Sequence, residues 1–211
     1  MEPNYFQRHP ALKDVVSIII FVICVIIGTI LINSFVFRSF SVVGPSMENT
    51  LHTSDRLIID RLPVTLANIQ GKAYIPNRGQ IIVFKNPQYS PGDPDEYIVK
   101  RVIGLPGERV VLKNGSYTVY NSAHPNGFNP DQFNNNEPQS PTSGEVDTTV
   151  PDGEVFVSGD HRQSDFSYDS RNGLGTIPSY DIIGPVSLRI YPFTKLRTFF
   201  NEGAPANYQA S

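Results

Sequence analysis

The apolar positions of this chain fall into one long run and a series of short ones. From Val15 to Phe37 no charged residue interrupts a stretch dominated by Ile, Val and Phe. About two dozen helical residues at ~1.5 Å rise cross the ~30 Å hydrocarbon layer with some tilt, so the run predicts a single transmembrane helix. A cleaved leader would have an apolar core of only ~7–15 residues, ending in small side chains. Here the run closes on Asn33-Ser34-Phe35-Val36-Phe37-Arg38, with no small-x-small site. That pattern predicts a retained anchor.

Beyond the anchor the apolar runs are short and bounded by turn residues, which predicts strands. Asp55–Arg61 has an apolar centre between charged ends, and Arg78–Phe84 is stopped by Asn86-Pro87. Tyr97–Ile103 follows a Pro, Asp and Gly-rich connector. Glu108–Lys113 and Ser116–Asn121 flank Asn114-Gly115, a strong hairpin signal. Residues 122–149 are crowded with Asn, Pro, Gly and Ser and read as an insertion loop, a place for variation and not for chemistry. Order returns at Glu154–Val157 and Asp181–Ile190, and a weakly ordered tail is expected after Pro192. The fold class expected is mainly β, one N-terminal transmembrane helix followed by an all-β domain. Its organisation is a polar segment over 1–14, an anchor over 15–37, a β domain over 38–195 and a tail over 196–211.

Composition narrows the chemistry. A net charge of −3 with 18% charged residues suggests no nucleic-acid footprint. The one cysteine, Cys24, lies inside the apolar run, so neither a disulfide framework nor a cysteine metal site is expected. No His or Cys pairs stand at ligand spacing, and Gly104-Leu105-Pro106-Gly107 opens no helix. Neither metal nor cofactor is therefore expected.

A hydroxyl nucleophile and a base remain as candidates. Ser46 follows Gly44-Pro45, a turn that frees backbone N–H groups near it, although most Ser residues in such turns are inert. A serine hydroxyl needs a base within hydrogen-bond reach. The four histidines are His9 before the span, His52 and His124 in polar stretches, and His161 beside Asp160. Adjacent strand residues face opposite sides, so Asp160 is poorly placed to orient His161. A lysine can serve if desolvation removes its charge, since its free pKa is about 10.4. On a strand over Tyr97–Ile103, Lys100 shares a face with Ile98 and Val102. Arg101, with Val99 and Ile103, faces the other way and is expected to reach solvent. An amphipathic surface strand would carry the same pattern.

Three stretches, taken in order, resemble the signature boxes of bacterial type I signal peptidases. They are Gly44-Pro45-Ser46-Met47, Lys100-Arg101-Val102-Ile103-Gly104-Leu105-Pro106-Gly107, and Gly159-Asp160-His161-Arg162 with Ser167-Tyr168-Asp169-Ser170-Arg171. The third departs from the family, with His161 in place of Asn and four residues, Gln163–Phe166, where the family has two. The resemblance implies Ser46 as nucleophile, Lys100 as general base, and the Ser46 N–H as half of an oxyanion hole. Some members carry a hydroxyl where this chain has Gly44. It further implies that Ser167 orients the Lys100 amine and that Asp160, Arg162, Asp169 and Arg171 form an ion-pair lattice. Substrates would be secretory preproteins bound as an extended strand, with small side chains at the first and third positions before the cut. No cofactor or metal is implied. The lipid bilayer is the other partner, and Met47 and Leu51, near the span, are expected to touch lipid or substrate. Arg8 and Lys13 precede the span and Arg38 follows it, which mildly favours a cytoplasmic N-terminus. The resemblance adds a catalytic domain on the outer face. A non-catalytic peptide-binding β domain and a Ser/Lys autoprotease are the rival readings.

Overall fold

The computed structural model describes residues 10–94, 96–133, 141–200 and 203–209. Helix α1, Pro10–Phe35, contains most of the apolar run. Most of its side chains are exposed, and Phe21, Ile18 and Ile30 are all more than half so. Two of its polar side chains fold back onto the helix. Thr29 Oγ1 donates to the Val25 carbonyl at 2.8 Å, and Asn33 Nδ2 donates to Thr29 O at 3.1 Å. A largely apolar exterior from Val15 onward, with polar groups such as these bonded to the helix itself, suits lipid.

The helix ends two residues earlier than the apolar run. Phe37 already belongs to β1, Phe37–Ser41. Between them stands Val36, whose N–H donates to Ile32 O at 2.9 Å while its carbonyl accepts from Arg61 N at 2.8 Å. One residue thus closes the helical ladder and opens the sheet ladder.

β1 pairs antiparallel with β2, Arg56–Asp60. A short helix not expected from the sequence, α2 (Leu62–Ile69), follows with Pro63 in its first turn, where a missing N–H costs nothing. Then come β3 (Ile81–Lys85), β4 (Tyr97–Gly104), β5 (Arg109–Lys113), β6 (Ser116–Tyr120), β7 (Val146–Thr149) and β8 (Glu154–Ser158). The chain continues through β9 (Ile177–Pro178), β10 (Ile182–Tyr191) and β11 (Arg197–Thr198). The main sheet runs β1-β2-β10-β3-β4-β8-β9, with β11 on β10, and β6-β5-β7 form a second sheet. Both faces of the main sheet are covered. Ile82, Phe84, Ile98 and Val102 belong to one apolar cluster, and Ile81, Val83, Leu57 and Ile59 to another. β10 bends across from β3 to β2 at Gly184, where a side chain would collide with the Asp60 carbonyl.

Two expectations are corrected here. The insertion is not featureless: its end forms β7 on β5, and Phe128 bridges to Val119. Residues 134–140 lie outside the described residues. The expected loose tail is packed, with Phe199 buried in the core and Ala204 N donating to Arg78 O at 2.9 Å. Arg78 in turn donates to the Tyr208 carbonyl and the Gln209 side chain at 2.8 and 2.6 Å. A buried guanidinium that needs acceptors holds this segment down.

Candidate active site

Lys100 lies where strand alternation predicts, on one face of β4 with Ile98 and Val102, and is 3% exposed. Its Nζ reaches 2.7 Å from Ser46 Oγ and 2.9 Å from the Val99 carbonyl. Ser46 is presented by a tight turn in which Glu48 N donates to Pro45 O at 3.0 Å and Leu51 N to Met47 O at 2.8 Å. Gly44 enters that turn at φ +90°, a conformation that disfavours any side chain. The Gly44 N–H is already used, donating to Thr53 Oγ1 at 3.1 Å. The Ser46 N–H makes no hydrogen bond among the described residues, which leaves it available to an incoming oxygen.

Met47 and Leu51, expected at a lipid or substrate surface, lie in the core. Both are wholly buried, packed with Val42, Leu57, Ile81 and Val83. Apolar side chains beside a span can face bilayer or core, and here the sheet face beneath the turn claims them.

Ser167 is also wholly buried, yet its Oγ has no hydrogen-bond partner among the described residues. The expected bond to Lys100 is not made, because the amine reaches Ser46 and the Val99 carbonyl instead. Ser167 stands close to the Ser46 backbone across Gly159. A Cβ on Gly159 would overlap both Ser167 Oγ and the Ser46 carbonyl.

The charged side chains of the four residues of the third stretch are buried but do not form one lattice. Asp160 is gripped by Arg101 through two bonds of 2.8 and 2.6 Å, and Thr50 Oγ1 donates to it at 2.5 Å. Arg162 pairs with Asp131 at 2.8 and 2.7 Å, and its Nε donates to Gly159 O at 2.6 Å. Only Asp169 and Arg171 pair with each other, at 3.2 Å. Asp169 also accepts from Gly159 N at 2.9 Å. The expected solvent exposure of Arg101 is therefore wrong, since it is 2% exposed and seated on Asp160. Asp131, inside the supposed inert loop, gave no signal in the sequence at all.

The electrostatics follow from these pairs. Burial alone would raise the Asp160 carboxyl, but the Arg101 charge and hydrogen bonds, helped by Arg162 and Thr50, hold it below the usual carboxylate range. Burial would lower Arg162, and Asp131 overrides it to push the guanidinium further up. Tyr117, whose ring lies 5.2 Å from the Arg162 guanidinium, is pushed up to about 12, chiefly by burial.

Among the described residues no histidine ring is hydrogen-bonded to the Ser46 hydroxyl. His161 donates its backbone N–H to Ser46 O at 3.1 Å, but its ring Nδ1 lies 3.2 Å from Pro45 O and the ring stacks on Phe166. His124 stacks on Tyr208, His52 donates its N–H to Asp55, and His9 lies outside the described residues. Among the described residues no group of three or more His, Cys, Asp or Glu side chains gathers as a metal site.

Ser46 and Lys100 open onto a groove of about 620 Å³ between Ser41–Ser46 and Tyr97–Lys100, with Phe166 and Tyr168 on its wall. The register explains the opening. β8 pairs with β4 only from Arg101 onward, so among the described residues no strand lies beside the Tyr97–Lys100 half of that edge.

The profile of the family described as "Signal peptidase, peptidase S26" matches residues 12–191. The chain is 30% identical to "Signal peptidase I" of Bacillus amyloliquefaciens over 184 residues, covering 83% of this chain and 88% of that one. It is 31% identical to "Signal peptidase I U" of Bacillus subtilis (strain 168) over 192 residues, 90% of this chain and 94% of the other. A solved signal peptidase I from Enterococcus faecalis V583 is 26% identical and aligns over 54% of this chain and 97% of its own, with a TM-score of 0.39, too low to argue the fold from. With the family profile running through most of its length, from within α1 to the end of β10, this chain belongs to the signal peptidase family, peptidase S26, and is a hydrolase of that family.

Proposed function

We propose that the chain removes N-terminal signal peptides from exported preproteins at a membrane, using Ser46 as nucleophile and Lys100 as general base. The observation that carries this reading is the 2.7 Å separation of Lys100 Nζ and Ser46 Oγ. Lys100 acts from its neutral amine, and burial on an apolar face favours that form over the ammonium. In the first step the Ser46 hydroxyl gives its proton to Lys100 as Oγ attacks the scissile carbonyl carbon. The Ser46 N–H, with no competing partner, donates to the oxyanion that forms. Collapse breaks the C–N bond and expels the new amine terminus, which takes from Lys100 the proton that Ser46 gave up. Water then gives a proton to the Lys100 amine as it attacks the Ser46 ester; the C–Oγ bond breaks, Ser46 Oγ recovers that proton from Lys100, and the signal peptide leaves with a free carboxylate.

Substrate lies along the open Tyr97–Lys100 edge as an added strand, the mode in which main-chain hydrogen bonds hold an extended peptide. α1 serves as the anchor, with the N-terminus in the cytoplasm and the sheet on the outer face. Ser46 is only nine residues beyond Phe37, a reach of about 30 Å at full extension. Cleavage therefore takes place close to the membrane surface. The direct test uses full-length protein in detergent with a fluorogenic peptide bearing a signal-peptide cleavage site. Wild type should cleave and Ser46→Ala should not. Binding without cleavage by wild type would instead favour a non-catalytic peptide receptor.

A further inference from the structure

Most arginines near the core are matched to an acid. Arg78 pairs with Glu108, Arg101 with Asp160, Arg162 with Asp131, Arg171 with Asp169 and Arg189 with Asp55. Arg38 and Arg61 break that pattern. Neither makes a salt bridge or a side-chain hydrogen bond among the described residues, and Arg61 Nε is buried without a partner.

The two lie side by side. Val36 is hydrogen-bonded to Arg61 just beyond the Phe37–Asp60 pair, so alternation puts Arg38 and Arg61 on one face of the β1–β2 hairpin. The Arg38 guanidinium is held over the rings of Phe40 and Tyr97, 4.9 and 4.8 Å from their centres. Burial, and then the Arg38 charge, lower the Arg61 pKa, as expected of neighbouring cations that lack an anion. Their position is the sheet end of α1. Arg61 leads into α2, and Thr65 Oγ1 on α2 donates to the Phe35 carbonyl at 2.9 Å. Around them Phe37, Leu62, Leu66 and Ile69 are exposed apolar side chains.

We propose that Arg38 and Arg61 form a binding site for the phosphate of an anionic phospholipid where α1 leaves the bilayer. This rests on the reading of α1 as a membrane span. A phosphodiester supplies the acceptor oxygens that two guanidinium forks require. Its acyl chains lie against the exposed Leu62, Leu66 and Ile69, and its headgroup sits at the level of the α1 terminus.

The test is native mass spectrometry of the full chain released from detergent micelles. Phosphatidylglycerol, phosphatidylcholine and inorganic phosphate are offered separately. Wild type and the distant surface variant Lys113→Gln should retain phosphatidylglycerol in preference to the other two. The Arg38→Gln/Arg61→Gln double variant should lose affinity by roughly tenfold or more, the worth of one charge-assisted bond. The Arg38→Lys/Arg61→Lys double variant keeps the charge without the forks and should fall between them. It also decides the matter if the Gln pair fails to fold by circular dichroism. Equal retention of phosphatidylglycerol and phosphatidylcholine overturns the proposal, as does undiminished binding by the Gln pair, or by the Lys pair where that one decides. Capture of inorganic phosphate without lipid overturns it too. Alkaline extraction separates the two layers of inference. A chain released from membranes fails the spanning reading, whereas a chain retained there without headgroup selectivity fails this proposal alone.

Discussion

Lys100 and Arg101, neighbours on β4, carry their nitrogens to opposite faces of the sheet, one to the Ser46 hydroxyl and the other to the Asp160 carboxylate. The strand thereby ties the proposed base to the ion pair that fixes the third stretch. Movement of Asp160 would be felt at Lys100 through a single peptide unit.

The first prediction concerns the base. Lys100→Ala should abolish cleavage, and Lys100→Arg should be equally inactive, because a guanidinium stays protonated and cannot take the Ser46 proton. Loss of a general base costs about 10²–10⁴-fold. Single-turnover cleavage of a signal-peptide substrate checks it, and substantial activity in Lys100→Arg would remove Lys100 from that role.

Gly159→Ala should be severely impaired although it adds one methyl group. The new Cβ would overlap Ser167 Oγ and the Ser46 carbonyl. Gly159 cannot easily withdraw, since Asp169 and Arg162 hold its N–H and carbonyl. Overpacking of this kind costs about 1–3 kcal/mol. The expected pattern is a modest fall in stability with a much larger fall in kcat. An active Gly159→Ala protein of normal stability would contradict the close approach.

Asp160 predicts an acid limb in stability. Its folded pKa is depressed, so the stability it contributes is complete above the unfolded carboxylate value of about 3.9. That contribution is lost as pH falls through the folded value. Asp160→Ala, which leaves Arg101 buried opposite an empty place, should cost about 3–5 kcal/mol. Asp160→Asn should flatten the acid limb. Urea unfolding followed by circular dichroism across pH measures both, and an unchanged acid limb in Asp160→Asn would assign it to other carboxylates.

His161→Asn should keep activity within roughly tenfold, about 1.4 kcal/mol of barrier. The His161 ring turns to the Pro45 carbonyl and Phe166. A loss of several orders of magnitude would return His161 to consideration as the base.

The outcome for Lys100 and Arg101 shows how far pattern reading carries. Alternation placed both on the correct faces, because a strand has only two. It also put Lys100 beside Ile98 and Val102. It misjudged Arg101 by treating the second face as solvent, when a second apolar cluster covers that side of the sheet. Only the run of Val99, Arg101 and Ile103 hinted at this, as three residues that two buried faces would also produce. Met47 and Leu51 were misplaced for a related reason, since apolar character does not distinguish core from lipid. Asp131 was illegible in principle. Its role depends on a chain reversal that brings a polar loop back to Arg162, and local composition carries no trace of that. The packed residues after Pro192 were missed likewise, because their partners Arg78 and Ser187 lie far off or on another strand.

The junction at Val36 has a consequence for scale. Because its N–H closes α1 and its carbonyl opens the sheet ladder, no slack tether separates the apolar helix from the strand that leads to Ser46. With α1 upright in a bilayer, as proposed, the height of Ser46 above the hydrocarbon becomes a constant of the fold. The molecule then works as a ruler. On the proposed reading, a chain emerging from lipid would be cut where it passes that fixed mark, so that the length of its buried segment would help to select the bond.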